Sequence, residues 1–561
     1  MDNKRTSAAA GLKEVDPEGR AFHKMIEATS YHVFSYPFQW DAKQSVDGIS
    51  KIIEKGNFDL GPFRLGMRWK RIPALNETDG PVLLGSSYSG RLLYKAYQYY
   101  NYPSRNLILG RDGFALKYAL CDKNGRYIGG KMFIEYSEKL NDGSDDKPVR
   151  KTFELDIIGI KLDIFEFGVG IISYEVIHSE KKEEKRTPVD TLSTVNLINE
   201  KGRRLYPPYI DDPETAGPLT ADMITMVLEG NGTEYEMAQD YRKIIKNIKA
   251  SKQNGRIEIG ESLPQYITEL VPFMDKVKTI TDDRMFCCTL VMDDDVADRA
   301  KQYSEGECGS FTEELYKFTY IENSISCTSA SMRKRIMEES IYDRWVEYGI
   351  LYGGSHHSFV SVMGDVSGGG SDKPYYLVEN FAGLYVPMVK LVLAQRAGLL
   401  VFSERVSELS REVKDYKKHC EKRLESSNRY QQDYSRFLNE FMLQEISSEE
   451  QAVELYSLLQ KQLYIERVQK SLTEQSGILN EITETLVAHQ EENSDKKLQN
   501  ILAVLSVVGF WYEFAQIIDI YKDKEFLAGW IWSGPITLIS SVIGIVGFVT
   551  ILFWILWDRR K

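Results

Sequence analysis

The sequence predicts an α+β cytosolic domain, then a long helical stalk, then a C-terminal two-helix transmembrane hairpin. Three observations carry this reading. The first 375 residues mix alternating apolar runs with helical stretches, no proline lies between Pro387 and Pro535 in a chain holding 17, and two hydrophobic segments close the sequence. The boundaries expected are a disordered tail over 1–30, a sensory or ligand-binding domain over 31–375, and a helical region over 376–447 that packs on the stalk. The stalk helix takes 448–497 and the membrane hairpin 498–561.

Composition limits the function. A chain of 561 residues, 43% hydrophobic and 27% charged, allows roughly two to four domains. Its formal net charge of −12 argues against a general nucleic-acid binder with a broad basic surface, and no direct nucleic-acid partner is expected. Cys121, Cys287, Cys288, Cys308, Cys327 and Cys420 form no C-x-x-C pair. That fits reduced thiols in a cytosolic compartment better than a disulfide framework or a zinc site. The first 20 residues have no apolar core of signal-peptide length and read as a tail.

In the α+β domain, "KTFELDIIGIKLDIFEFGVGIISYEVI" alternates apolar and polar residues, with Gly159, Gly168 and Gly170 as turn or bulge points, which predicts a β-meander. "MFCCTLVM" reads as a buried strand and "HHSFVSVMG" as another, while "YEMAQDYRKIIKNIKASK" and "ITELVPFMDKVKTI" read as helical. Four motifs are weighed as sites. "GDVSGGGSDK" (364–373) lacks the P-loop order of glycines, lysine and hydroxyl and reads as a hairpin loop. Asp293, Asp294, Asp295 and Asp298 offer a cation patch, but consecutive aspartates diverge, so a solvated loop is expected. His356 and His357 follow two glycines at a strand start, where neighbours face opposite sides; a ligand contact and a core or surface role both stay open. Arg203 and Arg204 beside Tyr206 and Tyr209 are cations next to aromatics, suited to a nucleotide's phosphate and base, with a surface turn as the alternative. Arg203, Arg204, Tyr206, His356 and His357 are thus the candidate ligand-binding residues. No nucleophile–base–acid set or metalloenzyme motif is present, so no catalytic residue or metal ligand is assigned and no enzyme is expected.

The stalk begins at an expected capping box, Ser447 with Glu450. Apolar residues then recur at helical spacing from Val453 to Leu486, predicting one amphipathic helix without an obvious stop into the membrane. Upstream, "YVPMVKLVLAQRAGLLVFSERVSELSREVKDYKKHCEKRL" is also helical, and it is expected to lie beside the stalk.

The hairpin's first span covers 498–521, its outer loop 522–535 and its second span 536–557. The second span holds 22 residues without a charge, enough to cross ~30 Å of hydrocarbon. Lys496 and Lys497 precede the first span and Asp558, Arg559, Arg560 and Lys561 follow the second, which places both termini in the cytoplasm. Polar residues in the first span form a stripe. Gln499, Ser506 and Glu513 are spaced by seven, and Gly509, Gln516 and Asp519 continue it. An ionisable group at membrane depth faces a bundle interior or a wet cavity, and one hairpin encloses neither. Several copies around an axis are therefore expected, with this stripe lining a pore. The alternative is a protonated Glu513 packed against a neighbouring helix.

Stalk, two spans and a terminal "WDRRK" together resemble the CorA superfamily of two-span cation transporters. The resemblance covers the chain from the stalk onward, and more loosely the helices from Tyr376. It implies a homopentameric funnel, a pore-lining first span and a peripheral second span. The family's Gly-Met-Asn motif is missing. Near 520–524 this chain reads "IYKDKEF", where Tyr521 matches the residue before the motif and Lys522, Asp523 and Lys524 replace the triad at the outer mouth. Lysine rings there disfavour capture of Mg²⁺ or another divalent cation. The missing triad and large cytosolic domain are similar to the divergent branch that accompanies type III CRISPR systems. That likeness implies an antiviral membrane effector triggered by a nucleotide second messenger, an S-adenosylmethionine–AMP conjugate, with no covalent cofactor and a location in the inner (cell) membrane. A divalent-cation transporter with an altered filter and a non-conducting membrane-anchored binding protein stay open beside it.

Overall fold

The computed structural model describes residues 17–40, 46–55, 58, 60–72, 88–110, 114–138, 148–179, 191–207, 220–230, 232–253, 263–272, 277–280, 283–303, 310–367, 374–412 and 420–522. Contacts divide the chain into two compact units: Met1–Ser407 with Tyr430–Glu474, and Glu408–Arg429 with Gln475–Lys561.

The first unit is an α/β body around one mixed sheet. Its strands are β1 (Ser30–Trp40), β2 (Arg68–Arg71), β3 (Ala115–Cys121), β4 (Gly129–Glu138), β5 (Val149–Phe165), β6 (Val169–His178) and β7 (Met223–Gly230). They continue as β8 (Thr233–Asp240), β9 (Val277–Thr279), β10 (Phe286–Met292), β11 (Ile341–Tyr342), β12 (Leu351–Gly354) and β13 (Ser358–Met363). The order across the sheet is β11-β12-β13-β10-β1-β6-β5-β4-β7-β8, with β2 and β3 branching from β5 and β9 pairing with β1. The β10–β13 pair is parallel, whereas the β1–β10 and β1–β6 pairs beside it are antiparallel.

The meander expected from alternation is β5 and β6. Leu155 and Ile157 are buried, a bulge falls between Ile157 and Gly159, and Gly168 makes the turn with φ 88°. β10 and β13 are buried at every position, their largely apolar runs including Thr289, Ser358 and Ser361.

Other segments differ from expectation. The tail over 1–30 is structured from Pro17, where α1 (Pro17–Ile26) buries Met25, and β1 begins at Ser30; residues 1–16 lie outside the described set. "YEMAQD" belongs to β8 because it alternates with period two against β7, and the helix starts only at Tyr241. "ITELVPFMDKVKTI" holds the end of a one-turn helix, Gln265–Thr268, and strand β9, since Pro272 cannot continue a helix.

The labelled helices that follow are α2 (Thr191–Gly202), α3 (Ser310–Tyr320), α4 (Val386–Glu412), α5 (Cys420–Phe441), α6 (Glu450–Gln462) and α7 (Ile465–Lys522). The expected domain boundary at 375 does not hold, because α4 belongs to the core of the body as far as Ser407. Met388, Val389, Val392, Ala394, Ala397, Leu399 and Phe402 are buried, and the amide of Gln395 donates to the Phe441 carbonyl at 2.7 Å. Among the described residues, Tyr375–Arg411 is the one stretch found long and apolar enough to cross a membrane, and 67% of its apolar window is buried inside the fold. A helix apolar on every face needs either protein or lipid around it, and here protein supplies most of the cover.

The expected uninterrupted stalk is broken. α6 ends at Gln462 and α7 starts at Ile465, with Tyr464 between them at φ 54°, a left-handed conformation unusual for a side chain of that size. The capping box is also absent. The Ser447 hydroxyl donates to the Tyr99 carbonyl and accepts from the Glu449 amide at 3.2 Å, and α6 starts without a side-chain cap. In the second unit, α5 and α7 meet at Ser427 and Thr483, whose hydroxyls lie 2.9 Å apart in a buried contact.

Candidate functional site

The body holds two cavities of interest. The larger, about 510 Å³, lies between the end of β4, α2, α3 and the turn after α3. α2 supplies Asn196 and Lys201 to it, and the turn supplies Asn323. Lys201 is 2% exposed with its Nζ 3.9 Å from Glu200 Oε2, and burial holds its ammonium below the usual range. Burial pushes the Glu200 carboxyl upward, and Asn323 donates to that group. The Asn196 amide nitrogen donates to the Glu322 carbonyl at 2.9 Å, while its buried Oδ1 has no partner among the described residues. An orphan buried acceptor beside a cation and two amides suits a polar ligand that donates hydrogen bonds.

Toward the sheet, α2 presents Asn199 instead. Its Oδ1 accepts from His32 Nδ1 at 2.8 Å and from the Thr289 hydroxyl at 3.0 Å, and the Ser30 hydroxyl meets His32 Nε2 at 2.9 Å. Burial pushes the His32 imidazole down to about 3, so it stays neutral and its network is structural.

The smaller cavity, about 230 Å³, opens where the sheet splits. β1 leaves β10 after the Ser35–Phe286 pair and joins β9 only from Phe38, so Pro37 faces the gap. Arg284, Phe286, His356 and His357 line it, and α4 closes it with Leu393 and Arg396.

The structure sorts the candidate ligand residues. His356 and His357 line one cavity together because they occupy the bend between β12 and β13, not the strand, so alternation does not separate them. Arg203 is no surface residue. It is 4% exposed, and its Nη2 donates to the Ile321 carbonyl at 3.2 Å. Its Nε and Nη1 have no hydrogen-bond partner among the described residues, and burial pushes its guanidinium down to about 10. Arg204 pairs with Asp283 at 3.3 Å, and Tyr206 packs against the main core. Arg203, Arg204 and Tyr206 are not among the lining residues of either cavity.

The acidic run is a helix start, not a loop. Asp293 accepts from the Val296 amide at 2.9 Å as an N-cap, and Asp294 accepts from the Asp365 amide. Of the glycine-rich motif, 364–367 are described; Asp365 accepts from the Ser367 amide at 2.7 Å in a local turn. No group of three or more metal-ligating side chains occurs among the described residues.

Sequence reasoning missed Arg284, Arg396, Asn196 and Lys201. Arg396 carried a signal, being the lone cation in "LVLAQRAGLLVF". Asn196 and Lys201 carried little, since polar residues on an amphipathic helix are ordinary.

On α7, Gln499 and Ser506 are exposed, and the Ser506 hydroxyl back-bonds to the Leu502 carbonyl at 2.7 Å. A Cβ at Gly509 would meet nothing within 4 Å. Glu513, Gln516, Asp519, Tyr521 and Lys522 fall on the same helix. Asp523, Lys524, the outer loop beyond Lys522 and the second span over 536–557 lie outside the described residues.

No family model, no curated protein and no solved structure matches the chain.

Proposed function

We propose that the chain is a ligand-gated membrane channel or permeabilising effector, with the α/β body as its ligand-binding part and α7 as its entry into the bilayer. One observation supports this most. Leu498, Ile501, Leu502, Val504, Leu505, Val507, Val508 and Trp511, eight large apolar side chains within 14 positions of one helix, are each 36–59% exposed. Covering them is worth roughly 6–12 kcal/mol, taking about half of the full-burial value for each. Water does not supply that cover; lipid or copies of the chain do.

The pattern on α7 favours both together. At ~100° per residue the eight spread over more than half of the circumference, and the remaining arc holds the positions of Gln499, Ala503, Ser506 and Phe510. A span facing lipid on its broad side and an axis on its narrow polar side has this distribution. Glu513 extends the polar arc deeper along the helix. The reading includes a CorA-like homopentamer, two spans, cytoplasmic termini and an inner-membrane location. Its trigger is the nucleotide messenger implied by the type III CRISPR resemblance.

The test is fractionation and mass. The full chain should stay with membranes through an alkaline carbonate wash and give a single oligomer mass in detergent, five copies by resemblance. Release by carbonate, or a monomer in mass photometry, overturns the proposal.

A further inference from the structure

The smaller cavity adjoins the break in the stalk, and His356 joins the two. Its Nδ1–H donates to the Gln462 carbonyl at 3.3 Å, and its Nε2 accepts from Arg396 Nη2. Gln462 is the last residue of α6, whose terminal carbonyls have no partner within the helix. The His356 ring also lies 5.5 Å from that of Tyr464, the residue held at φ 54° between α6 and α7. One neutral imidazole thus ties a cavity-lining guanidinium to the start of α7.

The cavity's chemistry is that of an anion site. Two guanidiniums, Arg284 and Arg396, and two imidazoles line it, and no carboxylate does among the described lining residues. Asp283 pairs with Arg284 at 3.5 Å and offsets part of the charge. At about 30 Å³ per water, the volume holds roughly eight waters, enough for a phosphate and its ester group. Planar guanidinium forks bind phosphate oxygens in pairs. Phe286 and Leu393 add an apolar wall for the carbon part of an ester.

We propose that this cavity binds the phosphate group of a phosphate ester, and that occupancy acts on the α6–α7 break through His356. A phosphate drawing Arg396 away removes the donor to His356 Nε2. That frees the imidazole to release Gln462 and shift against Tyr464. The consequence at the membrane rests on the ligand-gated reading; the binding site does not.

The experiment uses the full chain in detergent, with AMP, adenosine and inorganic phosphate as probes in calorimetry. AMP should bind, phosphate should compete with it, and adenosine should bind at least about tenfold more weakly, since the guanidinium–phosphate pairing is lost. Arg396→Ala and Arg284→Gln should each weaken AMP by a similar factor while keeping the oligomer mass. Hydrogen exchange at residues 463–468 should change when AMP is added. Tyr464→Gly, which tolerates the left-handed backbone and removes the ring, should keep AMP binding and lose that change.

No AMP binding at millimolar concentration, equal binding of adenosine and AMP, or unchanged AMP affinity in both arginine variants overturns the site. AMP binding that leaves exchange at 463–468 unchanged overturns the coupling. Binding and exchange as expected, without ion flux, would count against the channel reading alone.

Discussion

Replacing Asp163 with Asn should destabilise the body severely, and the loss should diminish as pH rises. Asp163 is 3% exposed, and its carboxylate holds two buried ammoniums, Lys117 at 2.8 Å and Lys390 at 3.1 Å. The side chains of those lysines are 13% and 6% exposed. Lys117 comes from β3, Asp163 from β5 and Lys390 from α4, so the triad fastens the core helix to the sheet. Burial opposes the Asp163 charge, but the two ammoniums outweigh it and hold the carboxyl well below its usual range. Breaking a buried pair by removing one partner costs about 3–5 kcal/mol, because the remaining charge is left uncompensated. Asp163→Asn leaves two such charges facing an amide, so the upper part of that range applies.

The sign of the pH dependence follows from Lys117. Burial already lowers its ammonium pKa in the folded state, and removing Asp163 takes away the main opposing attraction. Between that lowered folded value and the unfolded value of about 10.4, the unfolded chain binds more protons, so the variant's stability rises with pH. In the parent the Asp163 contribution is fully present above about pH 4 and is lost as pH falls toward the depressed folded value. The assay is hydrogen exchange over β3, β5 and α4 in the detergent-solubilised chain at pH 7 and pH 9. The double variant Asp163→Asn with Lys390→Met should recover much of the protection. A loss under about 1 kcal/mol, or one that is equal at both pH values, would refute the reasoning.

Gly130→Ala should destabilise the sheet by roughly 2–4 kcal/mol, because Gly130 has φ 140° and a Cβ there would sit 2.0 Å from the Val227 carbonyl oxygen on the paired strand. Thermal melting of the body reads this, and a shift close to zero would show that β7 yields easily. Glu513→Gln should leave assembly and AMP affinity intact while changing conductance or cation preference, and Glu513→Leu should close the path by drying it. Single-channel recording with thermal stability on both variants decides; unchanged conductance with raised stability makes Glu513 a packing residue.

Much of the sheet was legible because strands buried on one or both faces write their period into the sequence. β5, β6, β10 and β13 are read from alternation or continuous apolar runs, and Gly168 marks the turn. Short or polar elements carried no such mark. β8 resembles a helix start in composition, and only its pairing with β7 makes it a strand. α4 shows why helical pattern alone does not place a helix, since a segment apolar all round fits a stalk, a membrane or a core equally well. The site was less legible. His356 and His357 were visible as a pair, but the cavity joins them to Arg284 and Arg396, which come from other elements. Arg203 stood out in sequence as a surface cation, yet it is buried and donates to the Ile321 carbonyl, far along the chain. Nothing in local sequence announces contacts of that range.

The most direct measurement is ion flux from liposomes holding the purified full chain, with and without the S-adenosylmethionine–AMP conjugate on the side of the α/β body. The account predicts little flux without ligand and rapid flux with it, weakened by Arg396→Ala. Flux that ignores the ligand contradicts gating by the body. No flux under either condition, from a chain shown to be folded and inserted, contradicts the claim that the exposed apolar helix 498–511 leads into a pore.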